Sequence, residues 1–547
     1  MTHRSLTGIL VVALAASASA QQPPGAGGGA AVAPQEFAPT LPYREQVAQR
    51  GPVVTMGVED VIRRAVANNL DVLIEGFNVA IAEQRLVAAR GAYDPSLSVS
   101  SVRGSTANPL TAAAGAIAIP SEHVDTVVGA SSLRQTLPGG TNASLAISGQ
   151  RTATTNPASL LTPSFGSTLT ASVTQPLLRG FIHTAAARQV ALSDDDIAIA
   201  RAQYRLRVTQ VLQQVLNQYW ELVFAIESYE ARRQSKAVAL LQYQSTSVRV
   251  QNGLLTPVAL TASQAEIASR ERDLLQAEVQ IITAENGLKQ LLAEDATSPV
   301  WGSAILPGDT PATGLAAQPL AAVQTLARNR RPELAQLRLQ IAQNKVDRSF
   351  FSLETRPTVN LAATFSAVGR TGTVLQRTAD GRVPDATNPA FGRLDGALRQ
   401  LWSRDFPAWT LGLTVQVPIR NRAAESQLLQ ARIAGDRLST QLAKLTQSVS
   451  VDAQNAWQVI AVQRKSVEAA RLTTQLFEQQ LEAQQARYDA GFSSDFELLR
   501  YQRDAVDARV RELRARVDLQ LAIIALQRAT DTLIDDLNVT LPYGKMP

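Results

Sequence analysis

From Ala185 to Asn252 the chain runs without a proline or a glycine, and is rich instead in Ala, Gln, Leu, Arg and Glu. Nothing in that stretch breaks a helix, and at 1.5 Å per residue it reaches about 100 Å. A helix of that length cannot hide an apolar stripe inside a compact domain, so it needs lateral neighbours along its whole course. The stripe is there: Tyr204, Val208, Val211, Val215, Leu222 and Tyr229 fall on heptad positions, with Gln218 and Ala225 filling the gaps. Gly253 interrupts the helix, and a second is predicted from about Thr256 to Ala293, where Leu260, Ile267, Leu274, Ile281 and Leu288 keep a heptad spacing. That period implies a supercoiled pair, and the short break implies an antiparallel hairpin.

The chain then repeats the device. A second long helix, read as free of glycine, is expected from about Asn421 to Ala490, and Arg249-Val250-Gln251-Asn252-Gly253 is matched by Arg487-Tyr488-Asp489-Ala490-Gly491. Tyr219 matches Trp457, and a closing helix carries Leu499, Val506, Val510, Leu513, Val517 and Ile524 on one stripe. Upstream, Val58, Val61, Ile62, Ala65 and Val66 share a helical face, and a further helical stretch runs from Asp71 to about Gly91. Val323 to Glu333 resembles Val61 to Asp71, with Ala327 opposite Ala65. Internal repetition of this kind is the most specific signal in the chain.

Between the helices lie alternating segments of period two. Leu97 and Val99 follow Pro95, and Val359 and Leu361 follow Pro357. Strands end near Pro176 and Pro418, the latter after Trp409, Leu411, Leu413, Val415 and Val417. Two additional strand-like segments, around Thr126 to Leu133 and Thr141 to Gln150, have no counterpart in the second half, where Ser366 to Pro407 reads as a long polar loop. Each half thus reads helix, strand, loop, strand, very long helix, tip turn, helix. Short strands with polar residues on alternate sides have the weak signature of a membrane barrel.

Residues 1–20 read as a signal peptide, with an apolar run from Leu6 to Ala16 and a small-residue site at Ala18-Ser19-Ala20. The competing reading is a membrane anchor, for which the run is short. Residues 21–55 read as a flexible Pro/Gly/Ala-rich lead-in, 56–300 as the first repeat, 301–319 as a linker, 320–535 as the second repeat and 536–547 as a tail. There is no cysteine, so neither a disulfide nor a cysteine-linked lipid anchor is expected. Beyond residue 20 no apolar run is long enough for a helical span, so membrane insertion would have to use strands. The net charge of +5 is dispersed, without the basic stripe of a nucleic-acid binder.

This order resembles that of the TolC-like outer-membrane factor family over nearly the whole chain after residue 20. The pieces similar to its motifs are Ala65 to Leu70, the strand boundaries Pro95, Pro176, Pro357 and Pro418, and the tip segments Arg249 to Leu254 and Arg487 to Phe492. The resemblance implies a mainly helical protein with a two-fold internal repeat. Three copies would share one membrane β-barrel standing on a periplasmic helical tunnel. It implies the exit duct of a tripartite efflux pump or a type I secretion system, fed by an inner-membrane transporter through a periplasmic adaptor. The subunit would be a passive conduit in outer-membrane lipid, not an enzyme, with no cofactor. The other reading is a periplasmic coiled-coil adaptor or an extracellular scaffold, which explains the helices and export but not the recurrent proline-bounded strands.

Two groups of site residues stand out. Asn252, Gly253 and Leu254 and, in the second half, Ala490, Gly491 and Phe492 are expected at helix tips. There a glycine suffices to cap a helix, and an exposed apolar neighbour suits an adaptor's helical hairpin. By resemblance, Asp495, Glu497 and Arg500 match an entrance constriction, where three copies of Glu497 would form a cation-attracting ring. The plain alternative is a surface pair between Glu497 and Arg500. Trp402, Phe406 and Trp409 suit either an aromatic girdle or the packing of a loop. No catalytic constellation or metal site is expected. His123 and His183 are isolated, and Asp194-Asp195-Asp196 suits the early turns of a helix better than a divalent cation.

Overall fold

The computed structural model describes residues 40–109, 121–156, 159–311, 318–378 and 381–541. The expected signal peptide, most of the lead-in and half of the tail lie outside them. The chain divides after Thr40, and its helices and strands belong to the unit from Leu41 onward.

The first half holds α1 (Tyr43–Arg50), β1 (Val53–Met56), α2 (Val58–Asn68), α3 (Leu70–Arg90), four long strands, α4 (Ala185–Gln251) and α5 (Pro257–Leu292). The strands are β2 (Ser96–Pro109), β3 (Ser121–Thr136), β4 (Asn142–Thr154) and β5 (Leu161–Pro176). The second half holds β6 (Ala304–Pro307), α6 (Leu320–Arg330), α7 (Pro332–Glu354), β7 (Thr358–Thr378), β8 (Gly381–Pro384), α8 (Leu394–Ser403), β9 (Pro407–Gln416), α9 (Arg422–Asp489) and α10 (Asp495–Thr530).

α4 and α9 have 67 and 68 residues, each about 100 Å of helix. The other long helices lie along one of them. α3 runs beside the strand-side half of α4, with ion pairs Arg201–Glu83 and Arg207–Asp71, and α5 beside the tip-side half, where Gln264 donates to the Tyr243 hydroxyl. α7 and α10 take the corresponding places on α9, through Asn344 donating to the Ala431 carbonyl and Thr474 donating to that of Ala508. α4 also meets α7 (Arg188–Asp347) and α10 (Arg514–Glu221). The helices therefore form a wall four abreast at each level: α3 or α5, then α4, then α7 or α10, then α9. Both lateral edges are apolar and exposed, with Leu70, Ile74, Phe77 and Ile81 on α3, Leu275, Val279 and Ile282 on α5, and Ile433, Val459, Val462 and Leu476 on α9.

The repeat holds in three dimensions. Val61 and Ala65 are fully buried, and so are their counterparts Val323 and Ala327. The Tyr219 hydroxyl donates to Asp309 at 2.9 Å, and the matching Trp457 indole donates to the Gln318 carbonyl at 2.8 Å. The heptad stripe of α4 from Tyr204 to Tyr229 is buried as expected.

Three expectations need correction. The lead-in is ordered at its end, and the linker at 301–319 contains β6. β1 and β6 pair in parallel, Val53 with Ala304 through Met56 with Pro307, so each repeat begins with a strand. Four residues are too few to show a period, and each strand is stable only through the other. The expected loop at 366–407 is largely structured: β7 extends to Thr378, β8 folds back on it, and α8 follows. Finally, the second long helix is not free of glycine: α9 holds Gly435 at its contact with α7, where a Cβ would lie 2.5 Å from the Asn344 side-chain oxygen.

The long strands form one antiparallel sheet in the order β2-β3-β4-β5-β7-β9, with β8 paired only to the end of β7. The prolines stand where expected: Pro95 and Pro357 precede β2 and β7, Pro176 ends β5 and Pro418 follows β9. α8 lies on the sheet with Ala397 and Leu401 buried, over Gly149, Ser167 and Gly369. The Thr371 hydroxyl donates to the Arg393 carbonyl at 2.6 Å, and the Arg370 N–H donates to the Gln400 side chain at 2.8 Å.

Candidate functional site

Two regions can do something other than hold the fold together: the helix tips and the two-faced sheet.

The tips are built alike. At the first, Leu254 N–H donates to the Arg249 carbonyl at 2.8 Å and Gly253 N–H to that of Val250 at 3.0 Å. At the second, Phe492 N–H donates to the Arg487 carbonyl at 2.8 Å and Gly491 N–H to that of Tyr488 at 3.0 Å. This is the Schellman closure, which requires a left-handed residue, and Gly253 and Gly491 have φ of 75° and 81°. The closure aims the next side chain into solvent: Leu254 is 72% exposed and Phe492 84%. Phe496, one turn on, is also exposed. Asn252 and Ala490 are the helix caps before each glycine.

Just behind the tips the two hairpins are tied together. Gln242 of α4 donates to the Tyr488 hydroxyl at 2.7 Å and to Asp495 at 3.1 Å, and Thr246 donates to Asp495 at 3.2 Å. Arg249 donates to the Tyr488 hydroxyl at 3.0 Å while its guanidinium stands 4.8 Å from the centre of the Tyr488 ring. Burial and the adjacent Asp495 push the Tyr488 phenol up to about 12. Asp495 therefore faces α4 as the acceptor of a latch. Gln242, Thr246 and Tyr488 as its members were not anticipated from sequence.

Glu497 lies in the first turn of α10, where its N–H is capped by the Ser494 hydroxyl at 3.3 Å. Its carboxylate accepts from Ser493 at 3.0 Å and Gln484 at 3.4 Å, and the side chain remains exposed. Arg500 reaches Asp504 at 3.8 Å, so the expected pair between Glu497 and Arg500 is replaced by an i,i+4 pair one turn further on. Asp196 of the acidic run accepts from Gln343 of α7 at 2.6 Å.

The sheet has two chemically different faces. Register places Leu97, Leu133, Leu145, Ala171, Phe365 and Trp409 on one side, and Val99, Ile147, Leu169, Leu361, Leu411 and Leu413 share it. The other side carries Ser98, Ser132, Ser144, Ser172, Thr364 and Thr410. Trp409 is 78% exposed, and Trp402 and Phe406 nearby are exposed as well, so these rings do not serve to pack a loop. Among the described residues no helix is long and apolar enough to cross a membrane.

No family model matches the chain, and no curated protein does. Solved structures do. CusC aligns over 90% of this chain and 95% of its own at a TM-score of 0.61 and 14% identity. The outer membrane protein VceC of Vibrio cholerae aligns over 89% and 97% at 0.58 and 14%. The CmeC outer membrane channel of Campylobacter jejuni aligns over 87% and 86% at 0.58 and 13%.

Proposed function

We propose that this chain, which has the TolC-like fold, is the subunit of an outer-membrane channel that serves as the passive exit duct of an export system. The observation that carries the reading is the sheet. A wide antiparallel sheet with an exposed apolar belt on one face, hydroxyls on the other and an open strand at each edge suits only a lipid-facing, water-filled barrel shared with further copies. The apolar lateral edges of the helical wall call for the same neighbours. Three copies, as in the TolC-like pattern, would close both layers. The structural neighbours titled as outer-membrane channels support this reading, whereas a periplasmic adaptor or extracellular scaffold leaves the belt without a purpose.

In this reading the helical hairpins project into the periplasm, and Leu254 and Phe492 offer apolar knobs to a periplasmic adaptor, which links the duct to an inner-membrane transporter. Energy and substrate choice come from that transporter, and the subunit serves as a conduit. The latch around Tyr488 and Asp495 holds the hairpins in one of two packings, and opening separates them. Glu497 is the acidic side chain placed to ring the entrance.

The test is the native mass of protein extracted by detergent from outer membranes. Three chains per particle, pelleting with the outer membrane, supports the reading. A soluble monomer or dimer released by osmotic shock overturns it. For the entrance, Glu497→Ala should reduce cation selectivity in planar bilayers, and unchanged selectivity removes Glu497 from the ring.

A further inference from the structure

We infer that the β3–β4 hairpin is part of the membrane wall, so that three copies close an eighteen-stranded barrel as wide as the helical tunnel it stands on. The inference rests on the three-copy channel reading above and adds the number of strands and the width of the exit.

The hairpin is paired on both sides without interruption. β2 pairs with β3 from Ser96↔Arg134 to Pro109↔Ser121, and β4 pairs with β5 from Asn142↔Thr174 to Thr152↔Ser164. A hairpin folded outside the wall would leave β2 to pair with β5, and the observed order separates them by two strands. The two-faced pattern also runs through it. Leu133 and Leu145 continue the apolar belt between Leu97 and Ala171. On the opposite face the hydroxyls of Ser98 and Ser132, and of Ser144 and Ser172, meet at 2.7 Å across the two outer seams of the hairpin. A solvent-exposed hairpin has no use for a lipid face in register with its neighbours.

Parity and width agree. Six alternating strands leave β2 and β9 at opposite edges and antiparallel to each other. The β9 edge of one copy can therefore continue into the β2 edge of the next, which satisfies backbone groups that lipid cannot. Four helices abreast at about 9 Å cover an arc of about 36 Å per chain. Six strands about 4.8 Å apart and tilted by about 40° cover about 37 Å, whereas four would cover about 25 Å. Six strands from each of three copies make eighteen, a ring about 36 Å across between backbones. The barrel then imposes no size selection, and closure and selection fall to the tips.

The chain has no cysteine, so engineered pairs report cleanly. Ser98→Cys with Ser132→Cys, and Ser144→Cys with Ser172→Cys, should each form a disulfide in intact outer membranes while the particle keeps its native mass. Should a double variant fail to accumulate, single variants decide: a membrane-impermeant maleimide should label Ser132→Cys from the lumen and leave Leu133→Cys, shielded by lipid, unlabelled. Electron cryomicroscopy of the extracted particle should count eighteen strands. Three copies with twelve strands, thiols that stay reduced, or labelling without alternation overturns this inference alone. A particle that is not three chains overturns the channel reading with it.

Discussion

Arg249 touches Tyr488 twice, by a hydrogen bond of 3.0 Å to the hydroxyl and by its guanidinium 4.8 Å from the ring centre. The first is a partner for the oxygen, the second for the ring, so the contact joins the last turn of α4 to the last turn of α9 whichever way the phenol proton points. Tyr488→Phe keeps the stacking and removes the hydroxyl that Gln242 and Arg249 share. A net hydrogen bond is worth about 1 kcal/mol, so the closed packing should lose on the order of 1–2 kcal/mol. Resting conductance in planar bilayers should rise several-fold, and an unchanged leak would show that the latch does not hold the tips.

The same phenol sets a pH dependence. Its value in the folded protein is raised from 10 to about 12. A raised value means that the fold favours the protonated form. This contribution is therefore complete below pH 10 and is lost as pH rises from 10 towards 12. Leak through the wild type should stay flat between pH 7 and 9 and increase above 10, and Tyr488→Phe should abolish that increase.

Variants at the tips separate folding from the proposed adaptor docking. A Cβ at Gly253 or Gly491 meets nothing within 4 Å, so alanine there costs only backbone strain, about 1–2 kcal/mol for a left-handed L-residue. Heat stability of the particle should fall slightly for either alanine variant. Leu254→Asp and Phe492→Asp should leave heat stability unchanged, because both side chains are exposed, and yet lower export by the assembled system. Full export by both aspartate variants would remove the tips from adaptor contact.

How far the sequence could be read depended on the range of the interactions involved. The tips and the long helices come from local chemistry: a heptad stripe, an absence of internal proline and a glycine in each turn. The β3–β4 hairpin was visible as alternation, since period two is local as well. The latch was not, because Gln242 and Asp495 stand 253 residues apart and neither position is unusual in its own helix. β1 and β6 escaped for the same reason, four residues each and 251 positions between partners such as Val53 and Ala304. α8 hid within a polar stretch because its apolar face is only Leu394, Ala397 and Leu401, and it makes sense only against the small residues Gly149, Ser167 and Gly369 across the sheet.

Arg270 tests how much the tip-side wall depends on a buried charge. It is 6% exposed on α5, donates to the Ser235 carbonyl at 2.8 Å and hydroxyl at 2.7 Å, pairs with Glu266 at 3.0 Å and reaches the Leu499 carbonyl of α10. Burial lowers its pKa, with Glu266 opposing that shift. Arg270→Ala strands the Glu266 carboxylate, and loss of one partner from a buried pair typically costs about 3–5 kcal/mol. The variant particle should dissociate at a markedly lower temperature on heated gels. Arg270→Ala with Glu266→Gln should recover part of the loss, and no recovery would mean that the stranded charge is not the cause.

The seat of α8 gives the last prediction. A Cβ built on Gly369 would collide with the Ala397 carbonyl oxygen and lie 2.8 Å from the Ser167 hydroxyl, both within a rigid contact. At Gly149 the nearest atom is the end of the Leu394 side chain at 3.3 Å, which can rotate away. Gly369→Val should therefore lift α8 from the sheet, at a cost of about 1–3 kcal/mol for overpacking, while Gly149→Ala should be nearly silent. Trp402 lies one residue beyond the buried Leu401, so its fluorescence should shift with the helix. Limited proteolysis should cut between Arg393 and Arg404 in Gly369→Val and spare Gly149→Ala. Equal protection of the two variants would show that α8 is held by its flanking strands and not by the close approach at Gly369.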